Sequence, residues 1–353
     1  MNVSITGTGS FIPSCVEKNE NFYNHTFLNL DGSAINNSNE VIVEKFKAIT
    51  GIQERRYIKK ELINSDIATL AAKSAIDDAG IDQETLDYII VAHNYGDVKF
   101  GTEQSDTVPS IASRVKHLLR IQNPRCVAYD LLFGCPGWLE GVIQAKAFIQ
   151  SGMAKRCLVI GSETLSRVVD KHDRDSMIYS DGAGATVIEA NPEGDSAILA
   201  HETATFAAQE AHFIYFGQTN NPNVDDKRCY IKMYGRKIYE FALNNVPNAM
   251  KSCLDKSGVD IKDLKKILIH QANEKMDEAI VKRFYRLYGM KMPEDSMPMT
   301  INHLGNSSVA TIPTLYDQIL KEQLHGHSIK KGDVIMFASV GAGMNINAFV
   351  YRH

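Results

Sequence analysis

The chain has 353 residues, 44% of them hydrophobic, enough to bury one large core or two modest ones without disulfide or metal staples. Its 38 Lys and Arg against 42 Asp and Glu give a formal charge of −4, which excludes the global basic field that draws proteins onto nucleic acid and leaves any anionic partner to a local patch. No run reaches the ~20 apolar residues that span a bilayer, the start MNVSITGTGSFIP has no charged-then-apolar leader, and six cysteines lie scattered without a CxxC pair, so a soluble cytoplasmic protein with reduced thiols is expected.

In chain order, Val3 to Thr6 reads as a first β-strand, followed by the Asn-rich, polar stretch Asp31 to Asn39, read as a surface excursion. Ser65 to Ala79 predicts a helix: Ser65 and Asp66 are capping candidates, Ile67, Ala68, Ala71, Ala72, Ala75 and Ile76 fall on one face, and Gly80 ends it. Tyr88 to Ala92 is a buried strand with the polar tip His93-Asn94, and Cys157 to Ile160 and Ala185 to Ile188 are further strands. The turn Asn191-Pro192-Glu193-Gly194 is the candidate boundary between halves 1–191 and 192–353, and Asn220 to Asn223 is another surface turn. Beyond it, a helix from Gly235 to Ser257, a stop at Gly258 and a strand Leu264 to Ile269 ending at His270 repeat the earlier helix, glycine, strand, polar-tip order. Strands alternating with helices imply α/β layering, and the repeat hints at duplication.

Three residue types could carry chemistry. Cys135, in Phe133-Gly134-Cys135-Pro136-Gly137, lies between a strand and an apolar helix whose first turn Pro136 suits. Amide dipoles at that terminus would lower its thiol pKa and make it a nucleophile, whereas an isolated cysteine would be only a small buried hydrophobe. His270 closes the apolar run Ile267-Leu268-Ile269, at the kind of strand end where α/β proteins gather their sites. Asn306 lies in the turn Leu304-Gly305-Asn306-Ser307-Ser308, ahead of a helix from about Val309, where it would otherwise be a cap.

Together these segments resemble the 3-oxoacyl-[acyl-carrier-protein] synthase III family. His270-Gln271-Ala272-Asn273 is similar to its histidine motif, Leu304 to Ser308 to its asparagine motif, and Cys135 to its acyl-accepting cysteine. Ile5 to Ser10, Thr50 to Arg55, Asp181 to Ala185 and Val340-Gly341-Ala342-Gly343 match in order, so the likeness spans nearly the whole chain. The resemblance implies a thiolase-like fold, two α/β halves with five-stranded mixed sheets in an αβαβα arrangement, working as a homodimer without metal or redox cofactor. It also implies that Cys135 takes an acyl group from an acyl thioester, with the N–H groups of Cys135 and of Gly341 or Gly343 as oxyanion hole. His270 and Asn306 would then stabilise the enolate formed when malonyl-acyl carrier protein loses CO2. By the same resemblance Arg174 and Arg236 line the carrier-arm tunnel, and Lys275, Lys282 and Arg283 meet acyl carrier protein.

Three departures qualify the match. Glu20 to Ile49 is longer than the family loop and has Lys45 and Ile49 where a tryptophan and an arginine that grip coenzyme A are expected, which favours acyl carrier protein as primer carrier. Val108 stands before Pro109 where the family often has phenylalanine, implying a roomier acyl pocket. Gly101-Thr102-Glu103 resembles the glutamate segment of hydroxymethylglutaryl-CoA synthases and of enzymes that condense two acyl chains, so Glu103 is either a general base for a non-decarboxylative reaction or a plain loop acid. Transfer of the acyl group from Cys135 to an oxygen or nitrogen nucleophile is a further alternative, and a non-catalytic partner subunit, against which the joint presence of Cys135, His270 and Asn306 argues, is the remaining one.

Overall fold

The computed structural model describes residues 2–102, 104–191 and 194–353. Thirteen strands and eight helices follow in chain order: β1 (Val3–Phe11), β2 (Cys15–Lys18), α1 (Asn39–Thr50), β3 (Glu54–Tyr57), α2 (Asn64–Ala79), β4 (Tyr88–His93), α3 (Ile111–Leu118), β5 (Val127–Leu132), α4 (Gly137–Gln150), β6 (Arg156–Thr164) and β7 (Asp181–Ala190). The expected boundary turn includes Pro192 and Glu193, which lie outside the described residues; after it come β8 (Ala197–Thr205), β9 (Ile214–Gly217), β10 (Tyr230–Met233), α5 (Gly235–Ser257), β11 (Leu264–Ile269), α6 (Glu274–Arg286), α7 (Ile301–Leu304), α8 (Thr311–Leu320), β12 (Val334–Gly341) and β13 (Asn345–Arg352).

The first half forms a five-stranded mixed sheet in the order β1-β7-β6-β4-β5, and the second a sheet in the order β11-β12-β13-β8. Among the described residues the second sheet therefore has four strands rather than five; β9 and β10 pair instead with each other as a separate ribbon. Strands buried on both faces sort their side chains by period two. In β6, Leu158 and Ile160 face α2 and α3, while Cys157 and Val159 face the interior between the sheets. In β11, Ile267 and Ile269 face α5 and α6, and Leu268 faces the same interior. That interior holds α4 and α8, where Trp138, Leu139 and Val142 meet Ile312, Leu315, Phe337 and Phe349. The layers thus run helices, sheet, helices, sheet, helices.

Local sequence explains where elements stop. Gly80 and Gly258 adopt left-handed φ of 63° and 70° as C-caps of α2 and α5, a conformation that costs glycine little. The helix expected from Val309 begins at Thr311, because Ser308–Ala310 first makes a 3-10 turn. Glu20 to Ile49 is not simply a long loop, for α1 occupies its second part and packs Ile42 and Val43 on Phe22, Phe27 and Met177. Among the described residues no helix is long and apolar enough to cross a membrane.

Candidate active site

Cys135, His270 and Asn306 line one largely apolar cavity of about 80 Å³, although they come from three separate loops. Each is set there by its own local structure. Cys135 leaves the end of β5 through Gly134 and immediately precedes Pro136, the N-cap of α4, so it sits just outside the helix instead of capping it. His270 continues β11 by donating its N–H to the Ala338 carbonyl at 2.9 Å. Asn306 is held by two backbone bonds, its N–H to the Ile178 carbonyl at 3.0 Å and its own carbonyl accepting from Ser180 N–H at 2.8 Å. Gln271 anchors the preceding segment, donating to the Pro298 carbonyl at 2.9 Å and accepting from Thr300 N–H at 2.9 Å. Buried Arg55 packs against the other side, where a Cβ on Gly305 would lie 2.9 Å from its Cβ.

The side chains are oriented as well as placed. Asn306 Oδ1 accepts from Ser308 N–H at 2.8 Å, so its carbonyl edge is engaged and its NH2 is the edge left to other partners. Ser308, at a positive φ of 53°, directs its hydroxyl to Cys135 Sγ at 3.5 Å. That hydroxyl accepts from Asn94 Nδ2 at 3.2 Å, and Asn94 in turn donates its Nδ2 (2.5 Å) and its backbone N–H (2.8 Å) to Glu163 Oε2. A continuous hydrogen-bonded line therefore joins a fully buried carboxyl at the end of β6 to the cysteine sulfur.

Gly341 lies against the nucleophile: a Cβ added there would come within 2.5 Å of Cys135 N and 2.9 Å of Cys135 Cβ. Gly343 is different, with a left-handed φ of 76° and Asn345 as the neighbour its Cβ would meet. Of the two glycines, Gly341 is the one beside Cys135.

The electrostatics overturn one expectation. Although Cys135 opens onto the cavity, the walls shield it from bulk water, and burial pushes its thiol up to about 11; the Ser308 hydrogen bond pulls the other way and the Glu163 charge adds to the rise. Desolvation outweighs the amide dipoles of α4, so the resting group is a thiol rather than a thiolate. Burial likewise lowers His270 to about 4, leaving a neutral imidazole at pH 7 whose Nδ1 has no hydrogen-bond partner. Glu163 is raised by burial to about 7, against the pull of His93 and Asn94. The site accordingly offers a neutral thiol, a neutral imidazole and an amide NH2 in an apolar enclosure, a set suited to negative charge that develops only during reaction.

Other predicted residues are placed elsewhere. Val108 is 85% exposed and does not line the Cys135 cavity of this chain, because the turn before α3 carries it outward. Glu103 lies outside the described residues. Arg174 and Arg236 line a second groove with Met233, which it shares with the cavity; Arg236 pairs with Glu240 at 2.9 Å. On α6, Lys275 is exposed, Lys282 pairs with Glu278 at 2.7 Å, and Arg283 donates to the Leu243 carbonyl at 2.9 Å, tying α6 to α5. Asn94 and Ser308 stand out in the sequence only as a strand tip and as part of the asparagine motif, and Glu163 and Asp277 not at all. Asn94 and Glu163 sit at polar tips of apolar strands and Ser308 two residues beyond Asn306; Asp277 is the one acid in the apolar stripe of α6.

Comparison with known proteins agrees with this architecture. Patterns described as 3-oxoacyl-[acyl-carrier-protein (ACP)] synthase III and as its C-terminal part match residues 129–206 and 254–353. The chain is 30% identical to the beta-ketoacyl-[acyl-carrier-protein] synthase III of Erythrobacter litoralis, covering 100% of both chains. It is 32% identical to that of Oceanobacillus iheyensis over 100% of this chain and 99% of the relative. The 3-oxoacyl-[acyl-carrier-protein] synthase III of Aquifex aeolicus superposes with a TM-score of 0.82 at 30% identity, covering 99% of this chain and 100% of the other.

Proposed function

Because the chain belongs to the 3-oxoacyl-[acyl-carrier-protein] synthase III family, and is thus a cysteine-dependent condensing enzyme, we propose that it joins an acyl group on Cys135 to malonyl-acyl carrier protein by decarboxylative Claisen condensation. The supporting observation is the convergence of Cys135, His270, Asn306 and the Gly341 loop on one apolar cavity.

The thiol of Cys135 attacks an acyl thioester; the new S–acyl bond forms, the carrier thiol leaves, and the Cys135 proton goes with it, so no net charge is created. Backbone N–H groups of Cys135 and the Gly341 loop receive the oxyanion of the tetrahedral intermediate. Malonyl-acyl carrier protein then loses CO2, and its thioester oxygen takes up the electron pair as an enolate. Donors from neutral His270 and the Asn306 NH2 stabilise that charge, which an imidazolium would neutralise outright by giving up its proton. Attack of the enolate carbon on the Cys135 thioester forms the carbon–carbon bond and releases Cys135 sulfur, which regains a proton. The first half, 1–191, supplies the nucleophile, and 192–353 supplies His270 and Asn306.

Acyl carrier protein, an acidic partner, docks beside the groove of Arg174 and Arg236, with Lys275 and Lys282 on the α6 face. The enzyme acts in the cytoplasm, a reducing compartment that suits six free cysteines. A homodimer fits the outer edge of β5, which among the described residues carries no partner strand and exposes Leu132.

The test is the mass of Cys135 after exposure to acyl thioesters, followed by labelled malonyl carrier. An acyl adduct on Cys135 and release of labelled CO2 in step with product support the proposal. Product without CO2 release moves the reaction to the non-decarboxylative class, and absence of an adduct refutes it.

A further inference from the structure

Asp277 is out of place. It lies on the inward face of α6 among Met276, Ile280, Val281 and Phe284, in the stripe that packs on α5 and the second sheet. Its side chain lines the Cys135 cavity and is 1% exposed, yet its Oδ2 has no hydrogen-bond partner. Buried carboxyls are ordinarily partnered, because each unmet polar atom bears the full penalty of leaving water.

From this geometry we infer that Asp277 is a recognition site, inside the cavity that serves Cys135, for a hydrogen-bonding group carried by the bound thioester. The inference rests on the condensing function proposed above and adds to it a preference among substrates.

The carboxyl has two differently engaged sides. Backbone N–H groups of Asn273 and Ala272, at the start of α6, favour its charged form, but burial dominates and holds Asp277 well above the usual carboxylate range. Among the described residues no lysine or arginine lines the cavity, whose other walls include Ile238 and Val246 on α5 and Ile269 on β11. A neutral carboxylic acid in such surroundings acts as a hydrogen-bond donor through O–H and an acceptor through its carbonyl oxygen. A cap for α6 needs only one of its oxygens, so capping leaves the unpartnered Oδ2 unexplained. A purely hydrocarbon chain would leave it unmet, whereas a hydroxyl on the acyl chain or an amide in the carrier's arm would satisfy it. Both sources offer the same chemistry.

The experiment has two arms, both read as the rate at which Cys135 gains the acyl mass. In the first, hydroxylated acyl thioesters, with the hydroxyl at successive carbons, compete with unsubstituted acyl thioesters of equal length on one carrier. In the second, a single acyl group is presented on pantetheine and on an amide-free alkanethiol. Wild-type protein is expected to favour the hydrogen-bonding member of one arm by on the order of tenfold. Asp277→Leu should bring that ratio near unity while still acylating with plain substrates, and Asp277→Asn should retain most of it. A structural role alone would change stability or overall rate and leave the ratio intact. Equal use of all pairs by the wild type, or a preference that survives Asp277→Leu, overturns the inference. Acylation without discrimination defeats this inference alone; no adduct from any thioester defeats the condensing function with it.

Discussion

Removing the Ser308 hydroxyl should make Cys135 less reactive, and replacing the Glu163 carboxylate should make it more so. With the thiol near 11, only about 0.1% is thiolate at pH 8, against roughly a quarter for an unperturbed cysteine near 8.5. Alkylation of wild-type Cys135 should therefore climb about tenfold per pH unit from pH 7 to 10, without the plateau that an activated thiolate shows. Ser308→Ala removes a hydrogen bond that favours the thiolate. At about 1 kcal/mol that is a ~5-fold lower rate at each pH. Glu163→Gln removes the negative charge that raises the thiol, so its rate should exceed wild type above pH 7 and converge with it near pH 5, where Glu163 is already protonated. Peptide-resolved mass spectrometry after timed iodoacetamide exposure separates Cys135 from exposed Cys15 and Cys229. A wild-type plateau by pH 8, or faster reaction in Ser308→Ala, would refute the view that burial governs this thiol.

Gly341→Ala should abolish Cys135 acylation with the chain still folded, since the new Cβ meets Cys135 backbone at 2.5 Å and either the end of β12 or the Cys135 loop must move. Gly343→Ala, strained by its φ of 76° and with Asn345 rather than Cys135 as the neighbour its Cβ meets, should instead cost about 1 kcal/mol of stability in denaturant melts, with acylation largely kept. The depressed pKa of His270, about 4, means the folded state binds its proton less readily than the unfolded chain. Stability from this group is full above pH 6.5 and is lost as pH falls towards 4, by about 3 kcal/mol. Denaturant midpoints at pH 7.5 and 5 should therefore lie closer together in His270→Asn than in wild type. For the proposed homodimer, Leu132→Asp on the outer edge of β5 should shift the mass in light scattering from two chains to one; a wild-type mass of one chain, or a two-chain mass unchanged by the substitution, would refute that edge as the interface.

Much of the fold was legible because its elements are locally marked. The helix bounded by Gly80, the helix from Gly235 to Gly258 and the strand Leu264–Ile269 all emerge where apolar period and punctuation agree. β5 was hidden, since its edge position leaves Val127 and Leu132 exposed and weakens the apolar run on which a strand is recognised. α1 was hidden by the Asn-rich residues before it, although its own stripe reaches a core formed only with distant Met177. At the site, the motifs carrying Cys135, His270 and Asn306 could be read, but the protonation of Cys135 could not. Local sequence shows a helix terminus; how much water the walls exclude depends on residues up to two hundred positions away. The line from Glu163 through Asn94 to Ser308 was invisible for the same reason, being made by side chains from the end of β6, the loop after β4 and the turn before α8.

The central layer also bears on how the chain is made. By Ala190 the first sheet is complete, but the inner face of α4 still waits for its cover. Trp138 rests on Phe337 and Phe349, with ring centroids 5.7 and 6.0 Å away, and these emerge only when β12 and β13 have been made. At ribosomal rates of roughly 5–20 residues per second that interval is on the order of ten to thirty seconds. Through it, a tryptophan and its leucine and valine neighbours present a sticky nascent surface, so the growing polypeptide is a natural client for chaperones that shield hydrophobic faces until β12 and β13 close over them.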